Sequence, residues 1–221
     1  YIIISIFFLI LWFFLPTITL FIFLLVASYH FGKEDSEIMR PLESILSKFI
    51  FFIKGSLIIL APLFFQFKQT IIIFELLNFN TDYLLLLNDK SIVEFFFYAA
   101  LLSNMYFLIE KGSLRNNSGF IFFDLFSINL LYYFLSPLIA FTLYFCFIHS
   151  FRHSVSLIDQ LDKNNFKNGF KEFIKKALPL TIITAILFLV TVYFLKNYYV
   201  LDAAISKVIF IGLASLTFPH I

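Results

Sequence analysis

The stretch FCFIHSFRHSV, residues 145–155, holds two of the four histidines in a chain of 221 residues. His149 and His153 are four apart, so on a helix they share a face and can aim both imidazoles at one ion. Neutral imidazole is the commonest nitrogen ligand and suits Fe, Zn or Cu. The competing reading is an interfacial polar edge beside Arg152, whose guanidinium would snorkel to lipid phosphate. A third histidine, His30, lies in SYHFGKED. There Gly32 permits a turn or a close helix approach, and Glu34 and Asp35 could accept the second imidazole N–H of a ligand and fix its tautomer. Equally, Gly32 could cap a helix that ends in an acidic solvated loop. His220, in FPHI, is the weakest of the four, because a kink carrying a hydrogen-bonded histidine accounts for it as well as ligation does. Asp35 and His220 are therefore candidates either to bind a metal or to support a residue that does.

What positions these residues is a membrane bundle. The chain is 61% hydrophobic and only 14% charged, with a mean hydropathy of +0.95, far beyond the roughly 45–50% apolar usage of soluble domains. Several apolar runs reach the ~20 residues that cross a bilayer as helix, and strand-like alternation is missing. The fold class expected is all-α, a polytopic transmembrane bundle forming a single integral membrane domain over residues 1–221, with about seven to eight segments. These are Tyr1–Phe14, Thr17–Gly32, Phe49–Phe67, Ser91–Glu110, Gly119–Leu135, Pro137–His153, Ala177–Lys196 and Ala203–Ile221. The opening run to Gly32 would be ~48 Å as one helix, too long for one crossing, and Pro16 offers the break at a first-turn position. Residues 68–90, apolar but broken by Asn and Asp, suit a surface-lying helix pair or loop. A start at Tyr1 rather than Met reads as a fragment of a longer chain.

Charge orients this bundle. If the spans alternate, the loops at 33–48, 111–118 and 152–176 share a side and carry eleven of the sixteen cations, which places that side in the cytoplasm of a cell whose inner (plasma) membrane holds the chain. Those cations have a topological explanation and require no nucleic acid. All four histidines then arrive at the cytoplasmic leaflet, although Lys and Arg alone set the orientation. Lys54, Glu94, Glu110, Asp124 and Lys207 fall near span ends and read either as groups beyond a misplaced span boundary or as snorkelling groups. The single cysteine, Cys146, cannot form an internal disulfide. No nucleophilic serine, catalytic carboxylate pair or nucleotide-binding loop competes for the chemistry.

Taken in order, SYHFGKED, LSPLIAFTLYFCFIHSFRHS and LTFPHI resemble the Brp/Blh family of bacterial and archaeal membrane β-carotene 15,15′-dioxygenases, over nearly the whole chain from Ser28 to His220. The resemblance implies a non-haem Fe(II) centre and central cleavage of β-carotene by dioxygen to two retinal molecules, which serve a retinal-binding rhodopsin. It maps metal ligation onto His30, His149 and His153. His220 matches the family's Pro-His. An earlier family histidine, in an Asp-x-x-His-Gly-like motif, has no counterpart here and is expected upstream of Tyr1. Trp12, Tyr29, Tyr133 and Tyr144 could line a polyene tunnel, or simply pack. Three rivals stay open at this stage: a transporter or channel, a di-iron hydroxylase or desaturase, and a bis-histidine haem protein.

Overall fold

The computed structural model describes residues 2–35, 45–82, 90–109 and 118–218, and their regular structure is helical throughout. In chain order the helices are α1 (Ile2–Phe14), α2 (Pro16–Glu34), α3 (Ile45–Phe65), α4 (Phe67–Leu76), α5 (Lys90–Ile109) and α6 (Ser118–Phe134). They continue with α7 (Pro137–Leu161), α8 (Phe166–Leu195) and α9 (Leu201–Thr217). The break between α1 and α2 falls at Leu15, and Pro16 opens α2, where its missing N–H costs no helix bond. Among the described residues four helices are long and apolar enough to cross a membrane: α2, the Lys48–Phe65 part of α3, α7 and α8. They correspond to four of the eight expected segments. The apolar parts of α1, α5 and α6 are shorter.

One region differs from the expectation. Residues 152–176 are not a loop: α7 runs on to Leu161, and α8 begins at Phe166. Only 162–165 turn, with Asp162 Oδ1 accepting from the Asn164 and Asn165 amides at 3.1 and 3.0 Å. Asn165 then caps α8 by accepting from the amides of Lys167 and Asn168. Hydropathy marks only lipid-compatible length, so it ends these helices where charge begins, although nothing from His153 to Leu161 breaks a helix. Within residues 68–90, α4 is a short helix with Thr70, Ile71 and Phe74 buried and Lys68, Gln69, Ile72 and Glu75 exposed, and residues 83–89 lie outside the described residues. Thr70 Oγ1 donates to the Pro62 carbonyl at 2.9 Å, stitching α4 onto α3.

The core is built on α2 and α3, with Leu20, Phe23, Ala27 and Phe31 against Leu57, Ile58 and Ala61. Their approach depends on glycine: a Cβ on Gly32 would run into the Phe51 carbonyl oxygen, and one on Gly55 into that of Ser28. Small residues let helix backbones close where lipid supplies no hydrophobic drive between them. That crossing lays the end of α2 beside Lys54. By contrast α8 leaves Leu180, Leu187 and Leu189 exposed, as a lipid-facing helix does.

Candidate functional site

The last turn of α2 carries His30, Phe31 and Glu34, with Asp35 capping it. Facing them is the middle of α7, where Tyr144–Ser150 is π-helical. Its wider turn, closed by i→i+5 bonds, brings residues five apart to one side. Tyr144 and His149 are five apart, and both reach Asp35. The Tyr144 hydroxyl donates to Asp35 Oδ2, and His149 Nδ1 lies 3.2 Å from Oδ1. One turn on, where α geometry resumes, His153 Nδ1 lies 2.8 Å from Glu34 Oε2.

Since a carboxylate only accepts, Nδ1 carries the hydrogen in both histidines, and in a neutral ring Nε2 is then the nitrogen with the lone pair. Neighbouring acids on α2 thus orient histidines four apart on α7. The His30 ring lies 5.7 Å from that of His149, centroid to centroid, and Phe31 packs edge-on against His149 at 4.7 Å. His149 is buried, whereas the His153 side chain is 44% exposed. Among the described residues no three His, Cys, Asp or Glu side chains form a ready-made metal cage. In kind, however, the donors suit a metal that favours imidazole, since two rings have their outer nitrogen fixed by a carboxylate and a third stands alongside. His220 lies outside the described residues.

Sequence reading missed the charged groups behind the histidines. Arg152 does not snorkel: its Nη1 and Nη2 donate to Asp124 at 3.1 and 2.6 Å. Lys54 Nζ lies 3.3 Å from the same carboxylate and donates to the Asp35 carbonyl at 2.9 Å. Lys54 and Asp124, expected at span ends, thus meet in the interior, because helix rotation rather than distance from an end decides where they point. Burial works against an ionised Asp35, but the His149 hydrogen bond, with the charges of Lys54 and Arg152, outweighs it and holds the carboxyl below its ordinary range. Lys207 is also interior, donating to Asn78 Oδ1 at 2.9 Å. Glu94 is exposed, and Glu110 falls outside the described residues.

A largely apolar, half-open cavity of about 80 Å³ lies between α2, α3, α4, α6, α7 and α9. Its walls include Phe23, Ala27, Phe74, Phe141 and Phe210, and it reaches Phe31, the residue that touches His149. None of the four aromatics proposed for a tunnel lines it. Trp12 is instead buried, with Nε1 donating to the Leu77 carbonyl at 3.4 Å, and Tyr144 serves Asp35. Tyr29 packs against Phe51, while Tyr133 is 65% exposed.

A family model described as β-carotene 15,15′-dioxygenase matches residues 1–221. The chain belongs to the β-carotene 15,15′-dioxygenase family. The resemblance carried by the histidine motifs therefore holds over the full length of the chain. A relative within the dioxygenase family, the β-carotene 15,15′-dioxygenase of uncultured marine bacterium 66A03, is 29% identical over 225 residues, which cover all of this chain and 76% of the relative. No solved structure matches the chain.

Proposed function

We propose that the chain cleaves the central 15,15′ double bond of β-carotene to two retinal molecules, using non-haem Fe(II) held by His30, His149 and His153. The observation that carries this reading is the pairing of Glu34 with His153 and Asp35 with His149, which leaves both Nε2 atoms turned away from their carboxylates. Family membership supplies the reaction class. Iron held there would supply the activation of dioxygen.

The chain's own residues do the rest. Asp35 and Glu34 fix the imidazole tautomers, Tyr144 helps hold Asp35, and Phe31 separates the histidine end from the apolar cavity while touching both. A hydrocarbon polyene gains free energy by leaving water for lipid and for walls of Phe, Leu and Ile, so the cavity's lining suits it. One double bond and one dioxygen give two carbonyl groups, and the stoichiometry consumes no reductant. Each retinal leaves as an apolar aldehyde for a retinal-binding rhodopsin. We read the protein as a multi-pass chain of the inner (plasma) membrane with the histidine end facing the cytoplasm, on the Lys and Arg distribution.

The test is expression of the full chain in a carotene-producing host, with retinal extracted and the metal content of the purified protein measured. Retinal with near-stoichiometric iron and no Soret band is the expected result. Retinal absent at matched protein level, or a haem spectrum, would sink the reading.

A further inference from the structure

Two cations and two carboxylates are packed where α2, α3, α6 and α7 meet, and one oxygen among them is contested. Asp124, 2% exposed, takes both terminal nitrogens of Arg152, at 3.1 and 2.6 Å. Arg152 Nη1 also lies 3.6 Å from Asp35 Oδ1, the same atom that faces His149 Nδ1 at 3.2 Å. Arg152 and His149 thus approach the same carboxylate oxygen; His149 is within hydrogen-bond distance of it, while Arg152 Nη1 reaches the Asp35 backbone carbonyl at 3.5 Å.

We infer that Asp124 is a positioning residue for His149: by engaging Arg152 with both oxygens it keeps the guanidinium from closing onto the Asp35 carboxylate, so that Asp35 stays bonded to Nδ1 and Nε2 keeps its lone pair. The physical reason is that a two-pronged guanidinium–carboxylate pair is roughly twice as strong as a neutral hydrogen bond. Asn at position 124 would keep the shape but offer one acceptor oxygen and an NH₂ that repels the guanidinium. Arg152 would then turn to the remaining carboxylate, Asp35. Deprived of its acceptor, the His149 imidazole reverts to the Nε2–H tautomer that an unconstrained histidine side chain prefers, and the atom that would bind iron is capped. The consequence for catalysis rests on the proposed iron site, but the competition itself belongs to the metal-free chain.

The test therefore begins without metal. Nitrogen NMR of ¹⁵N-histidine-labelled full chain in detergent, with His149→Gln assigning the signal, is expected to give the Nδ1–H tautomer in wild type and Nε2–H in Asp124→Asn. The double variant Asp124→Asn with Arg152→Gln removes the competitor as well and is expected to recover Nδ1–H, a rescue that a general packing role for Asp124 does not produce. In parallel, Asp124→Asn is expected to weaken Fe(II) binding by about 10–100-fold and to lower kcat while leaving KM for β-carotene unchanged. A His149 that keeps Nδ1–H in Asp124→Asn overturns the inference. Should that variant not fold, Asp124→Ser, which removes the two-oxygen acceptor with a smaller side chain, is expected to give the Nε2–H tautomer, and an unchanged spectrum there overturns it equally. If the tautomer shifts as expected but wild type neither binds iron nor forms retinal, the positioning role stands and the dioxygenase reading falls.

Discussion

His149 Nδ1 and Asp35 Oδ1 stand 3.2 Å apart, a contact that joins the π-helical middle of α7 to the residue capping α2. Replacing Asp35 by Asn keeps its size but lets the amide nitrogen occupy either position, so Nδ1–H is no longer held. Retinal formation by Asp35→Asn is expected to fall about 10–100-fold, with iron occupancy falling in parallel. Retinal yield and bound iron at matched protein level check this, and wild-type values for both would refute the orienting role.

His149→Ala and His153→Ala are each expected to abolish retinal formation and to lose iron. The two variants differ in what else they disturb. His149 is buried against Phe31 and Phe145, so its truncation leaves a void as well and is expected to lower thermal stability. His153 is largely exposed and is expected to cost little stability. A His153→Ala protein that still makes retinal would remove His153 from the site.

Gly32→Ala and Gly55→Ala are expected to destabilise the protein by about 1–3 kcal/mol or more, as overpacking typically does. The neighbour each Cβ would meet is backbone, which cannot rotate away. Thermal unfolding in detergent measures the effect, and an unchanged midpoint would mean the two helices are farther apart than described.

Ala27 lines the apolar cavity on α2. Ala27→Phe fills part of it, so turnover of β-carotene is expected to drop about tenfold or more while bound iron stays unchanged, a loss of the size that ~1.4 kcal/mol of lost transition-state stabilisation gives. Equal loss of iron would show that the substitution had disturbed the metal site instead.

The turn at 162–165 is expected in the cytoplasm. A single cysteine introduced there, after Cys146, which is exposed, is replaced by serine, is expected to resist a membrane-impermeant reagent in intact cells and to react once they are opened. Labelling in intact cells would invert the topology.

How much of this was legible in the sequence follows from how local each signal is. The break at Pro16, the shared face of His149 and His153, and the acids after His30 are all properties of neighbours in the chain, and spacing alone suggested them. Arg152 and Asp124 are 28 residues apart on different helices, and their meeting depends on how each helix is rotated about its axis, which hydropathy does not encode. In a chain with 35 Phe, no phenylalanine announces that it faces a cavity. The conspicuous aromatics Trp12 and Tyr144 turned out to fix backbone and carboxylate rather than to line it. The α7–α8 hairpin was misjudged for a third reason: apolar length marks where lipid ends, not where helix ends.

The π-helical turn at Tyr144–Ser150 amounts to one surplus residue wound into a helix. The wide turn absorbs that residue, so the α-helical stretches on either side keep their relative phase. Were the same residues wound as ordinary α-helix, Tyr144 and His149 would stand about 140° apart around the axis and could not both reach Asp35. The centre is thus specified by a count as much as by residue types: hydroxyl and imidazole share a carboxylate because one turn holds one residue more than usual.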